Sequence, residues 1–131
     1  MPAAYFLHWP DSELASLAET MPGTLCLRLS AAACRRTDDG QEGYLRPLEL
    51  LFEGATWRGD GPALGGVAHG TLLLDGQPLG PAAHVLPLPL DRRGLVVCHV
   101  RLISGTVLQI EAARVVVQIA DAARFRESHA C

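Results

Sequence analysis

Residues 94–121 read GLVVCHVRLISGTVLQIEAARVVVQIAD, the longest piece of this 131-residue chain whose apolar pattern is close to unambiguous. Val96, Cys98, Val100 and Leu102 alternate with His99 and Arg101; beyond Ser104-Gly105, Leu108, Ile110 and Ala112 alternate with Gln109 and Glu111. A period of two is that of a strand with one face in a core, because successive side chains point to opposite sides of the backbone. The stretch reads as strand, turn, strand, then a last strand from Val115 to Ile119. The inward parity of Val115, Val117 and Ile119 differs from that of 108, 110 and 112, so Ala112 to Arg114 must hold a turn or a bulge. A three-stranded meander of this kind is expected at the centre of a β-sheet.

Its register follows from the same pattern. A two-residue turn at Ser104-Gly105 would pair Val100 with Gln109 and Cys98 with Glu111, setting polar groups into the core face. A three-residue loop keeps apolar opposite apolar and offers Gly105 the left-handed position. The three-residue loop is therefore expected.

Working outward, Asp91 to Gly94 (DRRG) is expected to turn the chain into the meander, and Val85 to Leu90 (VLPLPL) precedes it. Alternate amides of an extended strand point to the same edge, so Pro87 and Pro89 strip donors from one edge only. That makes the segment an edge strand whose outer side refuses a partner. The last strand has no such protection: RVVVQI, residues 114–119, lacks Pro and would invite pairing on a bare edge. It should be covered by the tail, sit inside the sheet, or pair with a second copy, the last giving a homodimer through the Val115 to Ile119 strand.

Ala3 to Trp9 reads as a first strand or anchoring arm, broken by Pro10. Asp11 or Ser12 as cap, Glu13 in the first turn, and Leu14, Leu17 and Ala18 at helical spacing before Pro22-Gly23 predict a short helix. Thr24 to about Ala32 reads as a strand, Thr37 to Gly43 as a turn, and Tyr44 to Trp57 as a strand with a bulge at Gly54. Val67 to Leu74 is a further strand, and Asp75-Gly76 is a hairpin turn with a short return arm. The fold class expected is mainly β: residues 1–131 as one domain, an antiparallel β-sandwich or partly open β-barrel of about seven or eight strands with one short N-terminal helix.

Composition narrows the functions. The formal charge is -3 and every basic residue is Arg, scattered along the chain. No basic stripe marks a nucleic-acid footprint, and no nucleic-acid partner is expected. The chain has no Lys, which removes Schiff-base, Walker-type and Ser-Lys chemistry; the absence of both Lys and Asn points to a GC-rich bacterial genome. Cys26, Cys34, Cys98 and Cys131 form no CxxC and no zinc spacing with His. The amino end lacks the features of a signal peptide, and a cytoplasmic chain with reduced cysteines is expected. The apolar runs fall short of the roughly 18 residues of a membrane helix, so no membrane partner is expected.

His99, Arg101, Gln109 and Glu111 should share the non-core face of the central hairpin, a candidate binding surface to which Trp57, beside the Gly-rich loop Gly59 to Gly66, could add a stacking group. His99 with Glu111 is the weaker reading as an acid-base pair, since a solvated sheet face provides no water-poor concavity. His69 and His84 flank the Asp75-Gly76 turn and could approach as metal ligands, but nothing repeats at ligand spacing. GDGPALGG does not match the dinucleotide fingerprint and precedes a strand. Cys26 and Cys98 fall within strands, where buried thiols are inert, whereas Cys131 is expected to be exposed. No catalytic residue, cofactor or metal is expected. The favoured function is a small non-catalytic protein that binds a protein partner or assembles with itself. The alternatives are a small-ligand binder with a barrel-mouth pocket lined by Leu, Trp57 and His69 or His84, and, more remotely, a His/Glu or His-metal enzyme.

Overall fold

The computed structural model describes residues 4–119 and 124–127, and among them every regular element is a strand. In chain order these are β1 (Tyr5–His8), β2 (Glu13–Met21), β3 (Thr24–Arg36), β4 (Glu42–Arg46), β5 (Leu48–Glu53) and β6 (Thr56–Gly59). The second half holds β7 (Gly65–Leu74), β8 (Gln77–Pro78), β9 (Val85–Leu88), β10 (Leu90–Leu102), β11 (Val107–Val117) and β12 (Arg124–Glu127). They form one antiparallel sheet in the order β12-β4-β3-β2-β7-β10-β11-β5, and β5 returns to pair with β3. The sheet is thus partly ring-closed, but it is not a barrel. Twelve strands replace the expected seven or eight. His129 and Cys131 lie outside the described residues.

The strand that everything else is built on is β3, not the 94–121 hairpin. Its first half, Thr24 to Leu29, pairs with β5, and Ala32 to Arg35 pair with β4. On its other edge β2 covers Thr24 to Ala31 and β1 covers Cys34 to Arg36. At the changeover, Ser12 is buried: its hydroxyl donates to the His8 carbonyl at 3.1 Å and accepts the Ala33 N–H at 2.9 Å. Its own N–H donates to Trp9 O and its carbonyl accepts from Val67 N. A buried amide between two paired segments would cost free energy if orphaned, and Ser12 supplies its partner.

Three expectations are corrected here. The short helix is strand β2. Leu14 pairs with Leu29 and Leu17 with Leu27, so three residues of β2 span two of β3. A bulge at Ala15 thereby brings an i, i+3 pair onto one face of a strand, and the helical spacing is imitated. Ser12 finds a strand amide instead of capping a helix, and Pro22-Gly23, with Gly23 at φ 79°, is the tight turn into β3.

The Tyr44 to Trp57 segment is divided at Pro47, whose ring nitrogen cannot continue a ladder, and at Gly54, which has φ 62°. The DRRG turn and the third strand of the meander are absent as such. Leu90 to Arg93 pair with Arg114 to Val117, so β10 and β11 run on as two long strands. The parity change between Ala112 and Val115 is absorbed by a bulge at Gly94-Leu95 opposite Ala113. Asp75 of the β7–β8 turn serves that bulge: its carboxylate accepts Leu95 N at 2.9 Å and its amide donates to Leu95 O at 2.8 Å. Arg114 then ties three strands, binding Asp91 through two hydrogen bonds and Glu53 at 3.1 Å.

Other readings carry over. His99 pairs with Gln109 and Val100 with Leu108, and Leu102 N donates to Thr106 O across a three-residue loop with Gly105 at φ 99°. Asp75 and Gly76 both have positive φ in a two-residue turn, and the return arm β8 is two residues long. Val85 to Leu88 pair only with β1 among the described residues, although Leu90 belongs to β10. The last strand sits inside the sheet: Val115 to Val117 have β10 on one edge and β5 on the other. The edge on which the homodimer expectation rested is therefore occupied at these three residues. Phe125 of β12 returns the tail to the body, 5.3 Å from Tyr5 between ring centres.

One contiguous core joins Leu7, Trp9, Leu27, Leu50, Phe52, Leu72, Cys98 and Val115. Trp9 is fully buried against Gly70, where any Cβ would overlap the indole. Gly70→Ala is expected to lower stability by about 1–3 kcal/mol through overpacking. Ser12→Ala is expected to cost about 1–3 kcal/mol by orphaning the Ala33 amide. Urea unfolding of each variant, read as a shift in midpoint at constant slope, checks both.

Candidate functional site

The outer face of the β7–β10–β11–β6 sheet carries the residues singled out from sequence. Directly opposed side chains share a face, so the ladders read as rows. Thr71, His99, Gln109 and Arg58 form one row; Leu73, Val97, Glu111 and Thr56 form the next; His69, Arg101 and Val107 form a third. His99, Arg101, Gln109 and Glu111 are thus together, joined by His69, Thr71 and Arg58. Arg58 donates to Gln109 Oε1 at 3.1 Å. The side chains of His69, His99, Arg101 and Glu111 make no hydrogen bond or ion pair among the described residues. His99 and Glu111 sit in neighbouring rows on an exposed face, not as a bonded pair.

Trp57 pairs with Ile110, a core residue, and so stands out of line with these rows, at the sheet margin, where it is 46% exposed; there it lines a cleft of about 310 Å³ with Thr56, Arg58, Gln109 and Glu111. The Gly-rich loop leaves β6 and enters β7, strand to strand. Asp60 at its start accepts the Val107 amide at 2.8 Å, which fastens the loop to the tip of the β10–β11 hairpin. At that end Leu64 and Ile103 are 63% and 76% exposed, and Ile103 N donates to Gly66 O. Two large aliphatic side chains therefore stand in water beside the Arg101 and His69 row.

His69 and His84 do not come together. His69 lies on the sheet face opposite Arg101, while His84 borders a separate cleft with His8. That cleft, about 330 Å³, is lined by His8, Asp11, Glu42, Tyr44 and His84 over Ala33 and Cys34. His8 is held below its ordinary pKa by burial and by the nearby Arg35 charge, against a smaller upward pull from Glu42, which favours its neutral form. No group of three or more His, Cys, Asp or Glu among the described residues is placed to hold a metal. Sequence reasoning missed this cleft because its residues come from β1, the following turn, β4 and the loop before β9. The one local signal was Pro10-Asp11, a turn that puts Asp11 at φ 69°.

Comparison with protein-family models, with curated proteins and with solved structures finds no match. Function is therefore argued from these surfaces alone.

The buried thiols follow the inert reading. Burial pushes Cys34 and Cys98 up to about 12, and burial with the hydrogen bond to Glu49 pushes Cys26 up to about 11. All three are protonated at pH 8. In a Cys131→Ser background, a thiol reagent at pH 8 is expected to label none of them until the protein is unfolded. Because their folded values are raised, they withdraw stability only as pH climbs beyond 9, toward 11 to 12. An alkaline loss of thermal stability over that window is expected, smaller but not abolished in a Cys98→Ala variant judged against its own neutral-pH value, because Cys26 and Cys34 remain.

Proposed function

We propose that this protein is a non-catalytic binding module that engages a protein partner through the outer face of the β7–β10–β11–β6 sheet. The observation that carries this reading is the unpaired set His69, His99 and Arg101 beside the exposed Ile103 and Leu64. Exposed charges screened by water contribute little to the fold, so their gathering has no structural reward. Apolar side chains at the same end supply the buried centre that a protein interface needs, and the cations supply its rim. With Arg58 and Arg101 carrying positive charge and the His69 and His99 rings beside them as hydrogen-bonding groups, the complementary partner surface carries carboxylates around an aliphatic contact.

A photoreactive residue installed at position 99 tests it in cells that produce the protein. One discrete protein adduct is expected, lost when Arg58 and Arg101 are both changed to Glu. An adduct of twice the chain mass makes the partner a second copy, the self-assembling form of the same reading. Labelling no stronger than from a photoreactive residue at exposed Glu19, on β2, sinks the proposal.

A further inference from the structure

A second site is built where β1, β3 and β4 lie side by side. Phe6 pairs with Arg35, and Ala33 pairs with Tyr44, so His8, Ala33 and Tyr44 come level across three adjacent strands. The smallest side chain stands in the middle. His8 and Tyr44 are separated by two strand spacings, about 10 Å, and between them lies the groove of about 330 Å³. Asp11 and His84 close its rim, and Glu42 extends the Tyr44 wall.

The walls are fixed before any ligand arrives. Ser12 binds both His8 O and Ala33 N, and the Trp9–Ser12 turn is closed by Ser12 N on Trp9 O. His84 is held by its neighbours: Leu72 N donates to Ala83 O, and Val85 N to Ala82 O. A groove whose backbone is already fastened loses little entropy when it is filled.

Its chemistry is one of acceptors. The Asp11 carboxylate makes no hydrogen bond or ion pair among the described residues. Glu42 spends one oxygen on Arg35 at 3.3 Å, which offsets that cation. Burial favours the neutral form of His8, whose ring nitrogen can accept, and Tyr44, with the Arg46 guanidinium 5.6 Å from its centroid over one face, leaves its other face for a cation. Cys34, a protonated thiol, brings no charge. An anion would meet two carboxylates here, and a metal would lack a set of three ligands. We infer that the groove over Ala33 binds a small organic ammonium cation, its N–H or N-alkyl groups directed to Asp11 and His8 and its charge lying against Tyr44.

The full-length protein titrated with ethylammonium and with tetramethylammonium chloride, followed by NMR of the His and Tyr rings, tests this. Saturable shifts of His8, His84 and Tyr44 are expected from at least one of the two. Asp11→Asn, which tolerates the left-handed backbone and keeps the shape, is expected to weaken binding by about tenfold or more, the loss of a charged hydrogen bond. Ala33→Leu, checked for folding by its melting curve, is expected to abolish binding by filling the floor. The inference is overturned if neither ammonium shifts these rings, if sodium acetate shifts them as strongly, if only zinc chloride does, or if Asp11→Asn binds as well as the parent.

Discussion

A strand that is paired with different neighbours along its two halves must change partners partway, and the residues at the changeover are where its ladder can fail. In this protein that strand is β3, and the Ser12 hydroxyl closes the gap by bridging the His8 carbonyl and the Ala33 amide. The opposite edge changes over from β4 to β5 around Pro47, and β9 passes to β10 around Pro89. All three changeovers are made by residues that cannot continue a ladder or that replace it with a side chain. Between them the inward-facing leucines of both halves meet Trp9 and Phe52 in one core.

Much of this was legible. Alternation in Val96 to Leu102 and Leu108 to Ala112, with Gly105 between, was enough to choose the three-residue over the two-residue loop, because a one-residue slip sets Gln109 opposite Val100 of the core face. Asp75-Gly76 likewise declared its turn. Bulges defeated the pattern elsewhere. A bulge shifts parity by one, so a strand carrying one reads as a helix, as at Leu14 and Leu17, and a strand lying opposite one reads as two strands, as at Ala112 to Val115. The partner residue that absorbs the shift lies far away in sequence, Gly94 for Ala113, and periodicity within one window cannot reveal it.

The same contrast governs the two surfaces. His99, Arg101, Gln109 and Glu111 alternate along one hairpin, so their shared face follows from period two alone. The groove over Ala33 needs β1, β3 and β4 to be adjacent, and no local signal carries that adjacency. Trp57 stands out of line with those rows for a related reason: the Gly54 break resets its parity relative to Phe52, and it reaches Gln109 and Glu111 only at the sheet margin. The surfaces also differ in physics. The sheet face keeps its charges in bulk water, where single pairs are weak and only many contacts together hold a partner. The groove has fewer groups, but they converge and their backbone is pinned.

Asp75 does two jobs at once, as the first turn residue between β7 and β8 and as the hydrogen-bonding partner of Leu95 beside Gly94. The turn and the bulge are therefore one device made of two distant pieces of chain. Replacing Asp75 with another good turn former, such as Gly, would keep the hairpin yet strand the Leu95 amide, and removing the bulge would leave the Asp75 carboxylate without its donor. A lineage that keeps this architecture has to alter the two sites in concert, so their substitutions are tied together although some twenty positions separate them.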